Sequence, residues 1–244
     1  MDSKNLDFDF ARAWDLNQGN FAHGLAEKIL NYANENNIST KTLLDICCGA
    51  SNLIGYFENK GTSCTGTETR QGMYEYSKSK HEQSTYYLTE KIYEIPGKNK
   101  YDIITCTHDI INYMESFDEW IQLFKNANKH LNKNGVFFFD FYTKNKLQNW
   151  NETTFSSSEY LDFVMTVKSG LYDKTSISYT YYINYDNYHV KTRDLMVECY
   201  YETQMVIDAL KKFGFKNVQV VDADLNPIEY FDNLERIYII AKHK

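Results

Sequence analysis

Long apolar runs are missing from this sequence. The stretch Val136 to Phe139 stops at Asp140, far short of the ~18 residues a membrane span needs, and the acidic start Met1 to Phe10 lacks the basic and apolar regions of a signal peptide. The expectation is a cytoplasmic protein with no membrane partner. Positive charge is scarce as well: 26 Lys and Arg stand against 33 Asp and Glu, a formal charge of −7, and no basic run or stripe is present to hold a polyanion. Nucleic acid is therefore disfavoured as a partner. The five cysteines, at 47, 48, 64, 106 and 199, make no C-x-x-C pair, and the six histidines have no ligand spacing. Neither a disulfide framework nor a metal site is expected. Proline occurs only twice against 21 tyrosines, so tyrosine clusters carry less information here than usual.

What is present is a core. With 244 residues, 43% of them hydrophobic, the chain suits one α/β domain, or one such domain carrying an insertion. From about residue 40 to 142, short β-branched runs alternate with helical stretches, the pattern of βαβ units around a parallel sheet. The strands predicted are Thr42 to Cys47, Ser63 to Glu68, Thr85 to Leu88, Tyr101 to Thr107 and Val136 to Tyr142. Ser116 and Glu119 form a capping box ahead of Trp120, Leu123, Phe124, Ala127 and Leu131, and Asn134-Gly135 is expected to end that helix. The opening segment, Phe10 to Leu30, reads as two short helices broken near Asn17 to Asn20.

Beyond Tyr142 the period drops to two. Phe163, Met165 and Val167 share one face, as do Ile177, Tyr179, Tyr181, Ile183 and Tyr185, with a turn expected at Ser169-Gly170 and a third strand from about His189 to Tyr201. A helix from Thr203 to Phe213 stops at Gly214, and Lys216 to Val221 and Arg236 to Ala241 return to the main sheet. The expected architecture is a doubly wound, mostly parallel seven-stranded sheet of residues 1–154 and 203–244, with an antiparallel β insertion at 155–202.

Ligands of open α/β sheets lie beyond the carboxyl ends of the strands, where strand order reverses. After the first strand come Asp45-Ile46-Cys47-Cys48-Gly49-Ala50-Ser51-Asn52, a turn of small residues that lets a ligand approach backbone, followed by a helix start with free N–H groups. The second strand ends in Glu68, close to the ~20 residue offset at which an acid meets a nucleoside ribose. A nicotinamide dinucleotide would need G-x-G-x-x-G for its pyrophosphate, whereas this turn has only Gly49, and Asp45 would repel the phosphates. The same acid would attract an ammonium group.

An adenosine joined to a cationic amino acid is S-adenosylmethionine, and LLDICCGASNL resembles the first motif of class I S-adenosylmethionine-dependent methyltransferases, L-D-x-G-C-G-T-G. TGTETRQGMYEYSK is similar to the family's V-x-G-x-D-x-S-x-x-M-L-x-x-A, KYDIITCTHDIINYM to its F-D-L-I…Y-[ILM] stretch, and LNKNGVFFFDFY to L-K-P-G-G-x-x-x-x-D. FARAWD near the start and the insertion after the fifth strand resemble the small-molecule branch that includes amino-sugar N,N-dimethyltransferases. The departures are Cys47 and Ser51 at glycine positions, Trp14 for a tyrosine, and Glu90 for an aspartate.

The resemblance implies roles. Asp45 would orient the cofactor's amino group, while Cys47, Gly49 and Ala50 would pass beside its methionine moiety. Glu68, next to Thr69, would take the ribose, and Met73 fills the motif's hydrophobic place. Glu90 and Lys91 would flank adenine, and Trp14 could cover the sulfonium through cation–π attraction. Cys106 to His108 would line the floor where donor and acceptor meet, with His108 and Asp109 as candidate catalytic bases.

Each position also has an ordinary reading. Asp45 and Glu68 could be loop acids, Glu90 a surface charge, Trp14 a core anchor, and His108 a loop histidine bonded to backbone. Cys47, Cys48 and Cys106 suit small buried fillers rather than nucleophiles, and Tyr142, Tyr179, Tyr181 and Tyr200 could wall an acceptor pocket or pack the sheet. The implied activity is methyl transfer to a small-molecule acceptor, at nitrogen rather than oxygen, by a monomer or homodimer. The alternatives are a non-catalytic nucleoside-binding module and a nucleic-acid methyltransferase; the latter lacks an N-P-P-Y or D-P-P-Y stretch after the fourth strand.

Overall fold

A computed structural model of the chain describes residues 3–149, 153–156, 163–172, 175–184, 189–231 and 233–243, with side chains described at 11, 12, 14, 15, 18–146, 197–231 and 233–243. The chain opens with one continuous helix, α1 (Ser3–Glu35), followed by β1 (Thr42–Asp45), α2 (Asn52–Glu58), β2 (Ser63–Glu68), α3 (Gln71–Lys80) and β3 (Thr85–Leu88). Next come β4 (Tyr101–Cys106), a 3₁₀ turn η1 (Ile110–Tyr113), α4 (Phe117–His130), β5 (Leu131–Tyr142) and α5 (Lys144–Asn149). A second sheet holds β6 (Thr153–Ser156), β7 (Phe163–Tyr172), β8 (Thr175–Asn184) and β9 (His189–Cys199), before α6 (Thr203–Lys212), β10 (Asn217–Val221) and β11 (Arg236–Lys242) complete the first.

The main sheet runs β10-β11-β5-β4-β1-β2-β3. Only β11 is reversed, pairing antiparallel with both neighbours. Strand order reverses between β1 and β4, so the crevice above their carboxyl ends is the expected ligand position. Strand alternation explains the two cores: Leu43, Ile103, Val136 and Phe138 pack with Ala26, Ile29 and Phe57 on one face, while Leu44, Ile104, Phe137 and Phe139 pack with Trp120, Phe124 and Leu210 on the other. The smaller sheet is a meander, β6-β7-β8-β9, antiparallel throughout.

Three local expectations change. The break near Asn17 to Asn20 is absent, because α1 lies against α2 and α3 and is anchored there: Asp15 accepts bonds from the Tyr76 hydroxyl at 2.7 Å and from Lys80 Nζ at 2.7 Å. Tertiary contact outweighs a polar, glycine-containing stretch of weak propensity. The helix capped by Ser116 ends at His130 rather than at Gly135, since Leu131 already pairs with Tyr101 to begin β5. Gly135 serves a close approach instead: a Cβ there would sit 3.0 Å from the Asp102 carbonyl, next to the register shift between Tyr101 and Ile103. Finally, β7 runs through Ser169-Gly170 to Tyr172, which pairs with Thr175, so the chain does not reverse at Ser169-Gly170. Tyr185 lies outside the described residues, and the side chains of Tyr179 and Tyr181 are not described.

Candidate active site

One cleft of about 260 Å³ opens above the carboxyl ends of β1, β2 and β4. Its first wall is the turn between β1 and α2. Cys47 (φ 52°), Gly49 (φ 54°) and Ser51 (φ 58°) all adopt the left-handed conformation, so the backbone curls back on itself between strand and helix. A Cβ on Gly49 would meet nothing within 4 Å, because the space above that residue is the cleft. The turn is held by its neighbours: Cys47 N–H donates to Thr67 Oγ1 at 3.2 Å, Cys48 N–H to the Thr67 carbonyl at 2.9 Å, and Ser77 Oγ to the Gly49 carbonyl.

Two buried carboxyls face this turn. Glu68 closes β2, and its Oε1 accepts the N–H groups of Thr69 at 2.7 Å and Arg70 at 3.1 Å, while Oε2 accepts that of Gly49 at 3.1 Å. Burial raises its pKa against those bonds. Oε2 retains a lone pair for a further donor. Asp45 accepts the Thr105 hydroxyl at 2.7 Å, and burial, with the nearby Glu68, pushes its carboxyl up to about 7. A cationic group entering here restores its ionised form.

The far wall follows β4. His108 (φ 64°) and Asp109 (φ 52°) are consecutive left-handed residues, which costs L side chains roughly 1–2 kcal/mol each unless surroundings compensate. The compensation is Asp140 on β5, fully buried, whose two oxygens accept the N–H groups of His108 at 2.8 Å and Asp109 at 3.1 Å. Arg236, opening β11, bonds Asp140 with one nitrogen and Asp109 at 2.6 Å with the other, and its guanidinium lies 4.2 Å from the centre of the Tyr142 ring. The imidazole of His108 meets the edge of Phe21 at 4.7 Å, and its Nε2 is buried with no hydrogen-bond partner. Burial drives its pKa down to about 4, so the ring is neutral at physiological pH.

Of the residues singled out by sequence, Trp14, Asp45, Cys47, Gly49, Ala50, Glu68, Thr69, Met73 and His108 line the cleft together. Four do not. Cys106 is wholly inside the core, and Asp109 sits behind His108 in its ion pair with Arg236. The backbone N–H groups of Glu90 and Lys91 both turn to Glu94 Oε2, and the adjoining wall of the cleft is Ile92. Lining residues that sequence reading missed include Gln18 and Ala22, which follow Trp14 at intervals of four on α1; the break expected there concealed the stripe. Asn52, Arg70 and Tyr113 were within quoted motifs but were assigned no role. No group of three or more potential metal ligands occurs among the described residues, and none of the described helices is long and apolar enough to cross a membrane.

Comparison with known proteins agrees with this geometry. A protein of Geobacillus sp. (strain WCH70), named as a candidate methyltransferase, is 22% identical over 209 residues, covering 83% of this chain and 84% of its own. The crystal structure of an S-adenosylmethionine-dependent methyltransferase from Clostridium acetobutylicum superposes with a TM-score of 0.80 at 22% identity, over 96% of this chain and 97% of that one. The sugar N-methyltransferase KedS8 from Streptoalloteichus sp. gives 0.76 at 15%, covering 90% and 86%. These likenesses establish a Rossmann-like methyltransferase fold. The sequence profile of the methyltransferase domain matches residues 19–220, most of the chain including the cleft-forming turns, and the protein therefore belongs to the family of S-adenosylmethionine-dependent methyltransferases.

Proposed function

We propose that this methyltransferase acts on the nitrogen of a small amine, an amino sugar being the class closest to the one named for KedS8. The carrying observation is the composition of the cleft's far end, where a neutral imidazole with a free Nε2 lies among buried carboxyls. Asp109, Asp140 and Glu198 are buried there, and Arg236 is ion-paired to the first two. The Asp109 and Asp140 charges are taken up by Arg236, so the nitrogen reading rests on the unbonded His108 Nε2, which accepts an N–H of an uncharged amine, and on the likeness to KedS8.

The residues present fit S-adenosylmethionine. Asp45 would receive its ammonium group, the open space above Gly49 and Ala50 its methionine chain, and Glu68 Oε2 a ribose hydroxyl. Thr69 and Met73 would border the nucleoside, with the cleft-lining Ile92 beside the adenine in place of Glu90 and Lys91. Trp14, on α1, would close over the sulfonium. Bound there, the cofactor supplies an electrophilic methyl group. The protein's own contribution is alignment and exclusion of water: the His108 Nε2 accepts an N–H of the acceptor and turns its lone pair inward. With a conjugate acid near pKa 4, His108 is an orienting acceptor of hydrogen bonds rather than a strong base. Residues 1–154 and 203–244 form the cofactor domain in this reading. The insertion at 155–202 bounds the acceptor, which is supported by the Asn112 amide's 2.8 Å bond to the Cys199 carbonyl at the end of β9.

The test is to incubate the protein with S-adenosylmethionine and a panel of amino sugars, free and as nucleoside diphosphate esters, beside their hydroxyl counterparts. Mass spectrometry should find methylated amines. Methylation confined to the hydroxyl compounds would overturn the nitrogen assignment, and absence of cofactor binding by calorimetry would leave a silent scaffold.

A further inference from the structure

Phe21 is a large apolar residue on α1 that the scheme above leaves unused, and it is 41% exposed. Its apolar neighbours on the helix, Ala22, Leu25 and Ala26, are buried. A lone exposed aromatic is ordinary on a protein surface. This one is set apart by where it is held. Its ring meets the His108 imidazole edge-on, with centroids 4.7 Å apart, and the Arg236 guanidinium lies 5.7 Å from its centre. Both partners are themselves fixed, His108 through its backbone N–H on Asp140 and Arg236 through Asp109 and Asp140. Along α1, Phe21 falls between Gln18 and Ala22, which line the cleft as His108 does. An aromatic ring is thus both anchored and open to solvent at the edge of the cleft. It stands beside His108, whose Nε2 is buried without a hydrogen-bond partner.

We infer that Phe21 is a specificity-determining residue of the acceptor site: its ring is an apolar platform beside His108 that selects amines carried on a compact ring over amines on open polar chains. This deepens the amine reading given above and rests on it. The recognition pairs one directional contact with one flat apolar one. His108 Nε2 accepts an N–H and so fixes where the nitrogen lies, but a single hydrogen bond leaves the rest of the molecule free to turn about it. A flat hydrocarbon surface next to that bond removes the freedom for an acceptor that has an apolar face of its own. A saturated sugar ring presents C–H groups on its face and hydroxyl groups around its rim. The face can cover Phe21, taking apolar surface out of water, while the rim stays hydrated. The two protein rings are 4.7 Å apart, so a ring seated on Phe21 brings its own amine substituent to His108 without a spacer. An open chain would have to order several torsions to make the same two contacts, whereas a ring has them ordered by its covalent structure.

The experiment measures acceptor kinetics for wild type, Phe21→Ala and Phe21→Tyr in the full-length protein, with amino sugars and with open-chain amino alcohols of the same carbon number. Wild type should show the higher kcat/KM for the cyclic amines. Phe21→Ala should raise their KM about tenfold, keep kcat within about twofold, and erase most of the preference over the open-chain compounds. Phe21→Tyr, which keeps the ring, should return KM to within about twofold of wild type. Cofactor affinity by calorimetry and the melting temperature should change little in either variant, because α1 stays anchored through Asp15. An equal rise in KM for cyclic and open-chain amines, or a loss of cofactor affinity in step with activity, would overturn the inference, since either marks a structural role. If Phe21→Ala keeps the wild-type KM, or if wild type prefers the open-chain amines, the platform is wrong and the amine reading stands. If wild type methylates no amine, the functional reading falls and the platform with it.

Discussion

Two loops of the cleft solve the same backbone problem with different partners. The turn after β1 and the loop after β4 both contain left-handed residues bearing side chains, and in each case an acid from the neighbouring strand gathers the exposed N–H groups. Asp140 does so for His108 and Asp109 while locked to Arg236, so its charge is consumed within the protein. Glu68 does so for Gly49, Thr69 and Arg70 through their backbone N–H groups, with the Thr69 hydroxyl and the Cys47 thiol as more distant neutral donors, and Asp45 beside it meets a hydroxyl. A carboxylate neutralised by a guanidinium is structural; one satisfied by neutral donors still attracts a cation. The loop after β4 is therefore built in advance, whereas the turn after β1 keeps two carboxyls without a bonded guanidinium, at the place that the proposed function gives to the cofactor.

The largest test of that contrast is Asp140→Ala, which leaves Arg236 buried beside only one carboxyl and releases two backbone donors. Denaturant unfolding should show a loss of about 3–5 kcal/mol. Glu68→Gln should behave in the opposite sense: it retains an oxygen for the backbone groups and costs about 1 kcal/mol of stability, yet weakens S-adenosylmethionine binding by about tenfold to a hundredfold. Equal effects on stability in the two variants would erase the distinction between the loops. Gly49→Ala forces a left-handed alanine, for about 1 kcal/mol in unfolding measurements, and points its methyl into the space reserved for ligand, so the affinity loss should exceed the stability loss.

The smallest effect is a pH dependence. The raised pKa of Asp45 means that below about 7 the unliganded site is largely protonated and must release that proton to hold an ammonium group. Cofactor affinity measured by calorimetry should therefore fall as pH drops below 7, by at most about tenfold per unit. The sign for folding is the reverse: the folded state holds this proton more tightly than the unfolded chain does, so Asp45 costs stability as pH rises from about 4 toward 7. Asp45→Asn should flatten both slopes.

Much of this was legible from residue order. The five strands predicted ahead of the insertion are all present, because β-branched apolar runs between glycine- and asparagine-bearing turns have few other stable uses. The Ser116 cap is there as well, its hydroxyl accepting the Glu119 N–H. Local rules failed where a distant partner decided the matter. Asn17 to Asn20 stays helical because α1 is pinned through Asp15 to α3, and Gly135 marks a bulge against Asp102 rather than a helix stop. In the cleft, the cofactor end was readable because its residues are adjacent along the chain. The far end was not, since Asn112 meets the Cys199 carbonyl only where the insertion crosses back to the main sheet.

Residue order by itself determined the sheet's strands, the small-residue turn and the two acids that follow the first strands, since periodicity, turn chemistry and short offsets act within a few residues. The tertiary structure alone decided which charges are spent and which remain available. Arg236 neutralises Asp109 and Asp140 from 96 or more positions away in the chain. Burial then sets Asp45 and His108 at pKa values their neighbours in sequence do not foretell. Electrostatic energy depends on distance and on exclusion of water, and both exist only once the chain has folded.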